Sequence, residues 1–472
     1  MAWYSPETIA QLSRHSKEPA WLQQMRADSW TQHAKLAWPH TSDEIWRRTD
    51  LSAFRPERPG ASNDLDALLT IKPADAARVQ PLIAPLGSES LLARVDGAWA
   101  AQRLPDGLYA ADLARAAQER PEIVRPILEA DGLTPAEQKL TSLNTAFHHD
   151  ALFVHVPPGV TWTEPIRLIR LRSIWPNLAL FPITVIVVGA GSSVSFVEED
   201  IGLSEGAAGP HPQRGPAQSR GRGSVEPAGF RPDGLHTINE RIELLVQPEA
   251  KVRYCRIQRW APGAQEFLLQ RASVQRGGEL SMVNLNLGGQ LSKSHVIAKL
   301  LGEGATSRVF GFVFGHDQQH IDFHSLQDHQ APRTMSDLLY KAALKDQSHM
   351  IYTGLIRIAK TAQQTDAYQA NNNLLLSQKA NAETIPMLEI LADDVRCKHG
   401  ATIGPVDEEQ LFYLQTRGIP RTLAERLLVM GFVDPIIDQV PGAAFQQRLR
   451  DELETSITGN VPKQDRTWQS GS

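Results

Sequence analysis

The sequence predicts a mainly β protein with helical ends, its centre a stacked β-solenoid. Three observations carry this. Strand-like runs follow one another from Ile242 to Gly315 with no helical pattern between them. Turn glycines at 277, 288, 302 and 315 are spaced by 11, 14 and 13 residues, a near-regular beat. No Asn-Gly hairpin signal accompanies them. A single coil cannot hide its apolar face and must stack on its neighbours, which is why a repeat of this kind points to a solenoid. Spacing alone leaves a β-sandwich or a cupin-like barrel open.

Taken in order, residues 1–140 read as a mainly helical cap domain. Ser5 is placed to cap a helix with Pro6 at its first position, where the missing N–H costs nothing. Trp21, Leu22, Met25, Trp30 and Ala34 continue an amphipathic pattern, and Leu113, Ile123 and Ile127 suggest further helix around Pro121 and Pro126. Residues 141–406 form the β core, opening with the runs PIRLIRLRS and LALFPITVIVV. A Gly/Pro/Arg-rich insertion at 203–234 interrupts it. Too poor in apolar surface to offset its ordering entropy, it reads as a mobile surface loop. Residues 407–472 return to helix: acids at Asp407, Glu408 and Glu409 suit a helix N-terminus, and Gly418 suits a stop. Pro420 and Pro435 each open a further helix. Leu423, Leu427, Leu428 and Met430 give that region an apolar face, which must fold back on the solenoid or receive another protein. The tail from Asn460 is polar and reads as frayed.

The chain has 472 residues, a formal net charge of −5 and two cysteines. No broad basic field is present, so nucleic acid is not the expected partner. No apolar run is long enough to span a bilayer; Ile183–Ala190, the longest, reads as a buried strand. The N-terminus lacks a signal-peptide layout and reads as mature structure. Two cysteines far apart in sequence give no disulfide framework, and a reducing cytoplasm is the expected compartment.

Cys397 and His399 form the sharpest chemical pair, a Cys-x-His on a glycine-bounded turn. On a strand, residues two apart share a face, so a thiolate and an imidazole there could converge on one metal. Cys255, in the alternating stretch KVRYCRIQR, reads as core filler. With only two cysteines, the chain cannot house a standard all-Cys iron–sulfur cluster alone; any such site must be shared. His316, His320, His324 and His329 invite a metal reading, but the stretch reads as strand–turn–strand. Residues 320, 322 and 324 then share one strand face, as a polar ladder more readily than a metal site. There is no Walker A sequence, HExxH or CxxC, and the glycines of GAGSS lack the third glycine and the helix of a dinucleotide fold.

The stretch NNNLLLSQKANAETIPMLEILADDVRCKHGATIGPVDEEQLFYLQTRG, from Asn371 to Gly418, resembles the heart of the SufB/SufD family, scaffold subunits of Suf-type iron–sulfur cluster assembly. DDVRCKHGATIG followed by DEEQLFYLQTRGIP looks more like the SufD branch. EPAWLQQMRADSW, SDEIWRRTDLSAF and QQHIDFHS extend the resemblance, whose most specific part is 316–431. It implies a right-handed parallel β-helix and a scaffold that is not an enzyme by itself. It implies pairing with a SufB-like paralogue through the solenoid ends, or a homodimer without one. It also implies docking of SufC, an ABC-type ATPase, on the C-terminal helices around Phe412, Leu423, Leu427, Leu428, Met430 and Phe432. A transient iron–sulfur cluster would sit at the shared interface, with His399 first and Cys397 second as metal-binding residues. This chain itself would bind no nucleotide, nucleic acid or membrane. The 203–234 insertion is not part of the pattern.

Two other classes compete. A polysaccharide-active β-helix enzyme would use exposed aromatics with acids or Ca²⁺ ligands; low aromatic content and the helical C-terminus argue against it. A self-assembling structural solenoid would be indifferent to His399→Ala.

Overall fold

The computed structural model describes residues 4–51, 54, 90–130, 133–174, 179–204 and 236–458. Nearly all of the 203–234 insertion and the tail from Asn460 lie outside the described residues. At the centre is a β-solenoid whose consecutive strands alternate between two parallel sheets. One sheet stacks Ile166–Ile174, Ser193–Ser204, Lys251–Arg259, Glu279–Asn286, Thr306–Gly315, Met335–Leu344, Thr365–Leu375 and Val395–Pro405 in that order. The facing sheet stacks Asp150–Val156, Pro182–Val188, His236–Val246, Ala264–Val274, Leu291–Leu300, His320–His329, His349–Ile358 and Asn381–Ile390.

Every second residue of each strand points between the sheets. Val252 and Tyr254, Leu280 and Met282, Val296 and Leu300, and Leu338 and Tyr340 fill this interior and are fully buried. Gly311 makes room for the ring of Tyr340 on the next coil; a Cβ there would lie 2.2 Å from Tyr340 Cε1. The turns that carry the chain from the second sheet to the first repeat one conformation. Gly191, Glu249, Gly277, Gly304, Arg333 and Gln364 all have positive φ. Each donates its N–H to the matching turn one coil further on, as from Glu249 to Arg276 O at 2.9 Å. Glycine adopts this conformation freely, whereas Glu249, Arg333 and Gln364 are held there by the ladder of turns.

Helices close the flanks. Ser5 caps Pro6–His15, its Oγ accepting from Thr8 N at 3.3 Å, and Pro135–Phe147 starts with a Thr134/Glu137 capping box. Within the segment read as mainly helical, residues 91–112 instead give three strands. Leu91–Val95 joins the first sheet beside Ile166–Ile174, Ala98–Arg103 folds back on it, and Tyr109–Asp112 pairs antiparallel with Asp150–Val156. These strands finish the N-terminal end of the solenoid. Asp407 caps Glu408–Thr416, accepting from Glu409 N at 2.8 Å, and the chain turns at Gly418 (φ 84°) into Arg421–Ile437. Pro435 does not open a helix. It lies inside that one, where the carbonyl deprived of a donor belongs to Gly431, and the third helix is Ala443–Thr458.

Candidate functional site at the open end of the solenoid

The Cys-x-His pair lies on a strand and not on a turn. Val395–Pro405 is the last strand of the first sheet, and its only strand partner among the described residues is Thr365–Leu375. The register sets Val395, Cys397, His399, Ala401 and Ile403 opposite Thr365, Ala367, Gln369, Asn371 and Asn373, all five of which are buried in the solenoid. Cys397 and His399 therefore continue the interior face, as a two-residue spacing requires. Among the described residues no coil follows to cover them. His399 is exposed, Cys397 is half-buried against Val395 and a small cluster around Ile356 and Ile358, and Ile403 is 44% exposed.

The facing sheet ends the same way. Leu388 and Ile390 match the buried Ile356 and Ile358 in register, yet they and Leu391 stand in solvent. Among the described residues neither edge strand has a further partner, and an apolar rim stands beside the thiol and the imidazole, features of the kind that mark interaction sites. Burial, reinforced by the carboxylate of Asp366, raises the Cys397 thiol, so it is not a preformed thiolate. Metal binding there would have to displace its proton.

The histidine-rich strand is built differently. His320, Asp322 and His324 share the outer face of His320–His329, against the N-terminal segment. His324 Nε2 lies 3.1 Å from Asp322, and Asp322 also takes Lys293 and Thr49. His320 Nε2 is 3.1 Å from Thr49 Oγ1. The ring of His324 lies tilted 4.9 Å from that of His295 one coil away, which reaches Glu137 at 2.8 Å. His329 faces inward between Thr334 and Ser336, at 2.7 and 2.9 Å, and His316 sits beside Asp317 in the turn. Desolvation holds His320, His324 and His329 down at about 4 and Lys293 at about 8. Each side chain has its own neighbours, and no three histidines converge as a ligand set among the described residues. This is the polar ladder.

The C-terminal helices fold back on the first sheet. Val429, Val433, Ile436 and Ile437 bury against Ile257, Val283 and Phe312, and the same cluster encloses Cys255. Lys341 Nζ donates to Phe432 O at 2.7 Å and lies 4.5 Å above its ring, so Phe432 and Met430 face the solenoid. Leu423 and Leu428 are half-buried; Phe412, Tyr413 and Leu427 are 67, 57 and 46% exposed.

With this geometry in hand, comparison with known families is decisive. Residues 227–432 match the model of the SufBD core domain of SUF-system FeS cluster assembly, and residues 6–168 match that of the SufBD N-terminal region. The chain belongs to the SufBD family. An iron–sulfur cluster assembly SufBD family protein of Staphylococcus saprophyticus is 25% identical over 95% of this chain and 93% of its own length. One from Staphylococcus epidermidis is 28% identical over 74% of this chain and 70% of its own length. Family membership and the matching solenoid do not favour the polysaccharide-active reading.

The SufBD solenoid of this chain also contains a charged group outside every motif of the sequence. Arg170, Arg172, Glu198, Asp200, Glu240, Arg256 and Glu266 are buried between the sheets. Their signal was present as charges two apart in otherwise apolar strands, RLR at 170–172 and EED at 198–200.

Proposed function

We propose that this SufBD family protein is a SufD-like, non-catalytic scaffold of a Suf-type assembly complex. Its partner would be a SufB-like paralogue meeting the open coil, and a nascent iron–sulfur cluster would be built and handed on at that junction. The observation that carries this reading is the solenoid's unfinished end, with Cys397 and His399 on the interior face among Leu388, Ile390, Leu391 and Ile403. An iron–sulfur cluster normally takes four protein ligands, so two from this chain leave the remainder to the partner. The exposed Phe412, Tyr413 and Leu427 support docking of a SufC-like ABC-type ATPase on the C-terminal helices. Nucleotide-driven closure of that ATPase would act on the scaffold pair as a bistable interface.

The test is co-expression of the tagged chain with the SufB-like and SufC-like proteins of the same host. Stable co-elution of all three is expected. Elution of this chain alone, or only as a homodimer, contradicts the reading.

A further inference from the structure

The solenoid interior is charged near its N-terminal end, with side chains from both sheets. Arg94, Arg170, Arg172 and Arg256 point inward, with Asp150, Glu198, Asp200, Glu240 and Glu266 among them, all nearly or fully buried. Asp150 lies 2.8 Å from Arg94 Nε and pairs with Arg172. Arg170 Nε is 3.1 Å from Glu198, which also accepts from Thr184 and Tyr254. Arg256 reaches Asp200 Oδ2 at 2.9 Å, Glu266 at 2.6 Å and Glu240 Oε2. Glu266 is completed by Trp260, Ser292 and Gln258, while His149, beside Asp150 and Arg172, is held neutral by desolvation. Arg94 is shared with the half-exposed Asp112.

Five buried carboxylates thus meet four guanidiniums. An uncompensated buried charge is costly, and a carboxylate so placed takes up a proton instead. A second observation points to the same place. Among the described residues, Asp200 Oδ1 is sealed from water and accepts no hydrogen bond. Oxygens of Glu198, Asp200 and Glu240 lie within 4.8 Å of one another. On Glu240, Oε1 has only the 3.4 Å contact to Arg170, the longest ion pair of the group.

We propose that the solenoid interior binds one proton as a structural component, shared between Glu240 and Asp200 as a carboxyl–carboxylate hydrogen bond. The proton balances the cluster and supplies the donor that Asp200 Oδ1 lacks. Burial, with the adjoining carboxylates, pushes both groups above the ordinary carboxylate range despite Arg256 and Arg170. A divalent metal ion is the competing occupant of three carboxylates this close. Over the nine buried groups, with the half-exposed Asp112 left to solvent, it would give one positive charge in excess, whereas a proton leaves them neutral.

The experiment is infrared spectroscopy of the full chain near neutral pH, with metal content measured on the same samples. The expected result is a protonated-carboxyl C=O band, lost in Glu240→Gln or in Asp200→Asn. Both variants keep the side-chain shape and can donate from an amide. Unfolding midpoints supply a second reading. A carboxyl raised in the folded state lowers stability as pH rises from the ordinary carboxylate value through its folded value, and Glu240→Gln should flatten that fall relative to wild type. Absence of the band in the wild type, a band indifferent to both substitutions, or a stoichiometric metal ion lost with Glu240→Gln would overturn the proposal.

Discussion

Gln369 and His399 hold matching positions on adjacent strands, yet Gln369 is 1% exposed and His399 stands in solvent. The same interior column that is sealed at one coil emerges at the next. Gln369 anchors its Nε2 on Gly354 O at 3.2 Å, and its Oε1 is buried without a donor. Among the described residues, the solenoid thus ends as an open socket rather than as a capped core.

The apolar rim of that socket is expected to serve pairing and not stability. Leu388→Glu combined with Leu391→Asp should abolish co-elution with the SufB-like partner. Because both side chains are already exposed, the unfolding midpoint should change little, within about 0.5 kcal/mol per site. Size-exclusion chromatography and urea unfolding of the same preparations check both halves.

Lys293 and Asp322 form a fully buried ion pair beneath Trp46, with Lys293 Nζ also donating to Ile45 O at 2.7 Å. Removing one partner leaves an uncompensated charge, so Asp322→Ala should cost about 3–5 kcal/mol. The double substitution Lys293→Met with Asp322→Leu should recover much of that loss, because neither charge then remains buried. Urea unfolding of the three variants decides.

The buried histidines of strand His320–His329 make it acid-labile. His320, His324 and His329 have folded values near 4 against an ordinary 6.5, so the unfolded chain binds more protons between those limits. Their contribution is fully present above about pH 6.5 and is lost as pH falls toward 4. Thermal unfolding across that range should show the decline, and His324→Gln should reduce its slope.

Glu199 ties the C-terminal helix to the solenoid. It takes Arg167 at 2.6 Å, Arg259 at 2.9 Å and Arg448, and Arg259 reaches on to Glu452 at 2.7 Å. Glu199→Gln leaves three guanidiniums without their shared carboxylate. Hydrogen exchange should then rise in residues 443–458 before it rises in the strands.

Much of this was legible in the sequence. The glycines at 277, 288, 302 and 315 mark successive turns because each coil is two strands and two corners. The beat is uneven because these glycines serve different needs: Gly277 has positive φ, a position held by Glu249, Arg333 or Gln364 in other coils, whereas at Gly288, Gly302 and Gly315 a Cβ would press on the adjacent coil. The cap at Ser5 and the helix start at Asp407 were readable because these signals are local. The strands at 91–112 were not, because LLARV is buried throughout and shows no alternation. The place of Cys397 and His399 depended on which coil is last, a property of the whole stack that a two-residue spacing does not carry.

The central claim is a cluster site shared between this chain and a partner, with His399 among its ligands. Its most direct measurement is iron and acid-labile sulfide per complex, on the three-protein assembly purified anaerobically with wild-type chain or His399→Ala. A marked fall in both, with the assembly still intact, is the expected result. Unchanged iron and sulfide in an intact His399→Ala assembly would contradict the account and place the chemistry wholly on the partner chain.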